Sequence, residues 1–363
     1  MDNFDWLRTF QKYYDFKFIK NKDKFYINPI YVGFKLTEMC NQKCVHCWAG
    51  KSNVNFNYDS VIEAIEKIAY FKPYMIGISG GEPFIRMDIF DILKYCVSKF
   101  SIIEILTNGV LLSNEKVLRL KSILRNTDAI HFSLDGIEKS YNIQRGVNHY
   151  EKAIKNLELL VKNNLNIKVH MTVTSINVND MIEVYNAVCK LGINKFSVNY
   201  VYPLRKGKQF FKSENNIEVM EKYYENVMTI KKLNMTRKVD FTYFLPLEVQ
   251  RNNIFFHDVK DEYSKNILNF DILHWTIDAD GNIFNFMDYY SYEELKIGNI
   301  FKDDLEFLIE NNSKIQKKIL FRNLYNDKCS KCNLLHLCRG GEFINSYPDL
   351  CTKDKRCLIE KRR

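Results

Sequence analysis

Two kinds of apolar spacing alternate along residues 30–205. Short runs rich in Ile, Val, Phe and Tyr, each bounded by turn residues, predict strands at Tyr31–Leu36, Met75–Ser79, Ile102–Leu106, Ala129–Leu134, Ile167–Thr174 and Lys195–Val201. Between them lie stretches with helical spacing. In Asp59–Phe71, for example, Val61, Ile62, Ile65 and Ile68 share one face. Asp88–Val97, Glu115–Leu124, Tyr150–Lys162 and Asp180–Leu191 read the same way. Six β–α units in series predict an α/β fold with a parallel sheet, because parallel strands need crossover helices. Six units rather than eight predict an open, partial (β/α)6 TIM-like barrel, with ligands at the C-terminal ends of its strands.

The rhythm stops near residue 206, and residues 206–270 read as a helical, aromatic-rich connection. A hairpin signal follows: Trp275–Ile277, a turn at Asp278–Gly281, then Ile283–Phe286. A further helix leads into a tail dense in cysteine. The expected organisation is therefore an N-terminal extension (1–30), the barrel (31–205), the connection (206–270) and a small cysteine-rich domain (271–363).

Composition narrows the function classes. With 363 residues, 46% of them hydrophobic, the chain can bury a sizeable core. Its net charge of +9 is spread among interleaved acids and bases. Without a basic run it offers no nucleic-acid signature, only a mild preference for acidic partners. The N-terminal MDNFDWLRTFQKYYDF carries acids and lacks a basic start followed by an apolar stretch, so it is no secretory signal. No apolar run approaches the length that spans a bilayer, and a cytoplasmic location is expected. Ten cysteines in such a compartment point to metal rather than disulfides.

The first cysteine cluster, Cys40-x3-Cys44-x2-Cys47, directly follows the first predicted strand. Three thiolates on one tight loop can bind three irons of a cubane and leave the fourth without a protein ligand. A structural zinc site would need a fourth ligand, and none stands nearby in sequence. The loop resembles the CxxxCxxC signature of the radical S-adenosylmethionine (SAM) superfamily. The aromatic residue that usually precedes its last cysteine is His46 here, and Trp48 follows. Further segments resemble that family in the same order. Gly80-Gly81-Glu82, after the second strand, matches its contact with the methionine amine of SAM. Thr107-Asn108-Gly109 matches a segment near the SAM sugar, although a plain β–α turn reads equally well. Ser133 and Arg145 match residues near the SAM carboxylate, with a solvated surface Arg as the alternative. Tyr200 and Val201 lie in the segment that flanks adenine in the family.

The tail holds Cys329-x2-Cys332-x5-Cys338 and, further on, Asp354-x2-Cys357. It is similar to the SPASM or shorter twitch extensions of radical SAM enzymes, which carry auxiliary Fe–S clusters. This chain departs from the full two-cluster pattern. No cysteine lies between residues 190 and 328, Phe286 stands at the Gly-x4 position, and Glu342 ends the CxxCx5Cx3C run. The resemblance therefore implies one auxiliary cluster, on Cys329, Cys332, Cys338 and Cys357. Cys351 competes for the fourth place, and a zinc ribbon satisfies the same spacing.

The family resemblance implies an enzyme with a SAM-cleaving [4Fe–4S] cluster on Cys40, Cys44 and Cys47. It also implies an external one-electron reductant of flavodoxin or ferredoxin type and hydrogen abstraction by a 5′-deoxyadenosyl radical. A peptide or protein substrate is the leading expectation, with a separate leader-binding protein because only about 30 residues precede the first strand. The alternatives are a small-molecule dehydrogenase or cofactor-tailoring enzyme and, from another class, an electron carrier or zinc scaffold. The sulfatase-maturing activity is disfavoured, since Met287 stands where its catalytic Asp would be. No catalytic side chain is assigned, and His131 and His170 are left as either lumen-facing or core residues.

Overall fold

The computed structural model describes residues 28–47, 56–202, 205–211, 216–243, 273–285 and 293–320. The strands are β1 (Tyr31–Lys35), β2 (Met75–Ser79), β3 (Ile102–Thr107), β4 (Ala129–Ser133), β5 (Ile167–Val173), β6 (Lys195–Tyr200), β7 (Asp240–Tyr243), β8 (His274–Ile277), β9 (Asn282–Asn285) and β10 (Lys296–Asn299). The helices are α1 (Tyr58–Tyr70), α2 (Ile89–Lys99), α3 (Asn114–Ile123), α4 (Glu138–Arg145), α5 (Tyr150–Lys162), α6 (Met181–Lys190), α7 (Asn216–Arg237) and α8 (Leu305–Leu320).

One sheet runs in the order β10-β9-β8-β1-β2-β3-β4-β5-β6-β7. From β8 to β7 every pairing is parallel, and β9 and β10 continue the edge antiparallel. The six expected βα strands are present within one or two residues at each end. Two neighbours extend them. β7 comes from the stretch expected to be helical, and β8, the first arm of the hairpin, pairs in parallel with β1. Each has four residues, too few for alternation to announce a barrel strand.

The two faces of the sheet differ in chemistry. Val32, Phe34, Ile76, Ile78, Ile103, Ile105, Ile130 and Phe132 point to one side and are fully buried. They meet the apolar stripes of the helices, such as Val61, Ala64, Ile65 and Ile68 on α1 and Ile92, Leu93 and Cys96 on α2. Each such side chain contributes about 1.5–3 kcal/mol of transfer free energy. The alternate positions face the concave side and are largely polar; the burial of β3 and β5 alternates residue by residue. Helix α4 was not anticipated. It is short and polar, holds to the core through the buried Tyr141, and ends at Gly146 with φ 67°.

The cysteine tail (Cys329, Cys332, Cys338, Cys351, Cys357), residues 1–27 of the N-terminal extension, Trp48 and residues 286–288 lie outside the described residues. Among the described residues no helix is long and apolar enough to cross a membrane.

Candidate active site

The Cys40–Cys47 loop leaves β1 at the C-terminal edge of the sheet and is pinned from two sides. From β2, Gly81 N donates to Thr37 O at 2.6 Å and Glu82 N to Met39 O at 2.8 Å. From α4, the last carbonyls accept: Lys43 N donates to Arg145 O at 3.1 Å and Val45 N to Gln144 O at 3.0 Å. The loop thus supplies donors that a helix C-terminus otherwise lacks. The glycines make the first contact possible. A Cβ on Gly81 would stand 2.2 Å from Met39 O, and one on Gly80 2.5 Å from Thr37 O.

Cys40 is exposed, Cys47 half-buried and Cys44 buried. Burial pushes the Cys44 thiol up, against the pull of the Arg145 guanidinium at 3.9 Å. The three sulfurs lie within electrostatic reach of one another. Among the described residues, however, no three His, Cys, Asp or Glu side chains converge on a single point as one metal ion would require. Three thiols on one loop are the donor set of a polynuclear cluster, in which each thiolate takes its own iron. Around the loop, Asn41 Nδ2, His46 Nδ1 and Arg145 Nε are buried and have no hydrogen-bond partner among the described residues. The donor set therefore fits a thiolate-bound cluster with an anionic ligand beside it.

The remaining residues expected at the site gather at successive strand ends. Glu82 is fully buried after β2. Its Oε1 accepts from Thr107 Oγ1 at 2.7 Å and Phe84 N at 3.2 Å, and its Oε2 from Asn108 N at 2.8 Å. Burial pushes its carboxyl up to about 7, although these donors oppose the shift. Asn108, after β3, donates through Nδ2 to Asn41 Oδ1 at 2.9 Å and lies 4.0 Å from Cys40 Sγ. Ser133 is half-buried at the end of β4. Arg145 is no solvated surface residue: it is 7% exposed and pairs with the fully buried Asp135 at 2.7 Å. Its Nη1 also donates to Gln42 Oε1 at 3.3 Å. Tyr200 and Val201 are buried at the end of β6, where Val201 N donates to Val173 O. The segment 205–211 closes over this edge, with Lys206 Nζ 3.4 Å from Cys44 O.

Sequence reasoning missed Asp135 and Gln42. Asp135 stands two residues after Ser133, just past the end of β4, and a carboxylate ten residues before an Arg was the available signal. Asp135 also faces His46 Nε2 at 3.5 Å. Desolvation pulls the His46 imidazole down to about 4, against Asp135. The residue standing where the family has an aromatic thus packs as a neutral ring.

The thiols, the Gly80–Gly81 turn and the buried guanidinium all stand at the C-terminal ends of parallel strands, the edge where α/β barrels carry their sites. Residues 34–188 match the Radical SAM superfamily. This segment of the chain is a radical SAM domain, the part of a radical SAM enzyme that binds SAM. It is similar to Fe-coproporphyrin III synthase of Methanosarcina barkeri, with 23% identity covering 94% of this chain and 90% of that protein. The subtilosin biosynthesis protein AlbA of Bacillus subtilis is 28% identical over 54% of this chain, and the alignment spans 45% of AlbA. Among solved structures, Streptococcus suis SuiB bound to SAM superposes with a TM-score of 0.75 at 17% identity, covering 98% of this chain and 83% of SuiB. SuiB bound to its precursor peptide SuiA gives 0.74 at 17%, covering 97% and 80%.

Proposed function

We propose that Cys40, Cys44 and Cys47 hold a [4Fe–4S] cluster and that the chain uses it to break an unactivated C–H bond of a peptide. The observation that carries this reading is the three-thiol loop, fixed on one side by Gly81 and Glu82 and on the other by the end of α4. When bound, such a cluster supplies the electron that cleaves SAM to methionine and a 5′-deoxyadenosyl radical. The chain's own residues bind and orient. Gly80, Gly81 and Glu82 form the seat for the methionine amine. Ser133 and Arg145 take its carboxylate, Asn108 lies toward the sugar, and Tyr200 and Val201 flank adenine. Asp135 aims Arg145, because a guanidinium held by a fully buried carboxylate cannot swing away. Holding the substrate C–H within reach in a site that excludes water is the protein's further contribution.

The likeness to AlbA, a bacteriocin biosynthesis protein, and to SuiB with its precursor peptide supports a ribosomally made peptide as substrate. A partner would supply leader binding, and a flavodoxin or ferredoxin in the same reducing compartment would supply the electron. Cys329, Cys332, Cys338 and Cys357 would hold one auxiliary cluster that exchanges electrons with the substrate. A small-molecule substrate is the second reading, favoured by the near full-length alignment with Fe-coproporphyrin III synthase.

Anaerobic reconstitution tests both cluster assignments. With dithionite and SAM the full chain should release 5′-deoxyadenosine. Replacing Cys40, Cys44 and Cys47 with Ala together should abolish release yet leave about one cluster's worth of iron and sulfide. No cleavage by the intact chain refutes the first assignment, and zinc without sulfide in the triple variant refutes the second. Incubation with short peptides encoded beside the gene then asks for deuterium transfer from a labelled peptide into 5′-deoxyadenosine.

A further inference from the structure

The concave face of the barrel has an unusual composition. Parallel strands are ordinarily apolar on both faces, and the interior of a closed barrel is filled by branched aliphatic side chains. Here the inward positions carry Tyr31, Glu104, His131, Lys168, His170 and Lys195, all half-buried. The outward neighbours of the same strands are fully buried Val, Ile and Phe. Gly77 keeps the near wall thin: a Cβ there would stand 1.8 Å from the Tyr31 hydroxyl, so only glycine lets that ring lie flat against β2.

We propose that this face is the substrate chamber and that Lys168 and Lys195 bind a carboxylate of the substrate. The inference rests on the radical SAM reading of the site above and names the chemistry of the substrate's far end.

Charge is the first argument. Among the described inward positions around these lysines, the acids are Glu104 and the exposed Asp240, which is in register with Lys195 but makes no ion pair with it. His131 Nε2 is 2.8 Å from Glu104 Oε1. Burial would raise the Glu104 carboxyl, but His131, Lys168 and Lys195 together hold it below the usual carboxylate range. Glu104 is taken up by His131, and neither lysine forms an ion pair with a carboxylate among the described residues. Lys195 Nζ donates to the neutral Asn166 Oδ1 at 3.0 Å, and Lys168 makes no hydrogen bond or ion pair among the described residues. The two lysines precede the paired residues Val169 and Phe196 on adjacent strands, where like charges repel unless an anion lies between them.

Depth is the second argument. Thr172 N donates to Asp135 Oδ1, and Asp135 Oδ2 holds Arg145 beside Cys44. Lys168 lies four residues earlier on the same strand, about 13 Å below. Midway, His170 is in register with Ser133, and its Nδ1 is 2.8 Å from Ser197 Oγ. A substrate whose reacting carbon meets SAM at the strand ends and whose carboxylate meets the lysines would span that depth. A glutamyl side chain of an extended peptide and a propionate of a small molecule share this chemistry.

The test titrates the reconstituted full chain, with SAM, against two probes: coproporphyrin III, a tetracarboxylate, and a hexaglutamate peptide. One of them should bind the native chain, more weakly as salt rises. In the Lys168→Met/Lys195→Met double variant its Kd should rise about tenfold, the effect of losing a charged contact. The Lys168→Arg/Lys195→Arg variant should restore binding, and Lys152→Met on the exposed face of α5 should leave it unchanged. Porphyrin binding alone assigns the carboxylate to a small molecule, and peptide binding alone to an acidic peptide. Binding of neither probe, or an unchanged Kd in the Met variant, overturns the proposal. Dithionite-driven SAM cleavage, measured in parallel, should be unchanged in Lys152→Met. Its absence in the native chain would refute the radical chemistry, whatever the titration shows.

Discussion

Gly81→Ala isolates the contact that seats the cysteine loop. The new Cβ would stand 2.2 Å from Met39 O, 2.6 Å from Met39 C and 2.7 Å from Glu38 O. Those are backbone atoms, about 0.7–1.2 Å inside van der Waals contact, and no rotamer change relieves them. The loop or the β2 end must move by about that distance, which costs about 1–3 kcal/mol as overpacking. Movement also weakens the Gly81 N to Thr37 O and Glu82 N to Met39 O bonds, worth about 1 kcal/mol each. The sum, about 3–5 kcal/mol, falls on the segment that carries Cys40. The expected result is a Tm lower by several degrees together with a loss of iron and sulfide after reconstitution. Gly192→Ala is the control. A Cβ there meets nothing within 4 Å, but φ is 73°. It should cost about 1 kcal/mol through the left-handed backbone alone and leave iron content unchanged. Equal iron, sulfide and Tm in Gly81→Ala and the native chain would falsify the view that this glycine exists for the loop.

Two further outcomes follow from buried charge. Asp135→Asn leaves the Arg145 guanidinium without its 2.7 Å partner in a buried site, which should cost about 3–5 kcal/mol. Adding Arg145→Met should recover part of the lost Tm without recovering SAM affinity, and full additivity of the two losses would refute the pairing. The barrel histidines set a pH dependence. Burial holds His170 and His274 each at about 3, below the ordinary imidazole value near 6.5. The unfolded chain therefore binds more protons, so stability is lost as pH falls from about 6.5 toward about 3. Each histidine contributes at most about 1.4 kcal/mol per pH unit, and less where water reaches the ring. His170→Gln and His274→Gln should flatten urea-denaturation stability across that window, and an unchanged slope would refute neutral burial.

The parts legible in sequence are those written locally. Strand and helix spacing predicted the βα units of the barrel, because each strand sends one face against a helix and so alternates. β7 escaped because its four-residue run is too short to show a period; β8 was expected as a hairpin arm, but its pairing with β1, like that of β7 with β6, is a long-range event. α4 escaped because its polar sequence lacks a broad apolar stripe, and its place is set by the single buried Tyr141 and the Gly146 stop.

The site divides the same way. Ligand chemistry sits in spacing, so the sequence alone determined which thiols share a loop and which motifs follow each strand. Only the tertiary structure decided how those motifs serve one another. Gly81 is occupied by the cysteine loop's backbone, Glu82 already spends both carboxylate oxygens on the end of β3, and Arg145 is aimed by an Asp135 that no motif had assigned a task. The polarity of the lumen was likewise split among strands far apart in the chain. Lys168, His131 and Glu104 become neighbours only when register places β3, β4 and β5 side by side. The physical reason is common to all of these cases. Covalent spacing constrains neighbours within a turn or a strand, whereas burial and electrostatics act across distances that only the packed chain defines.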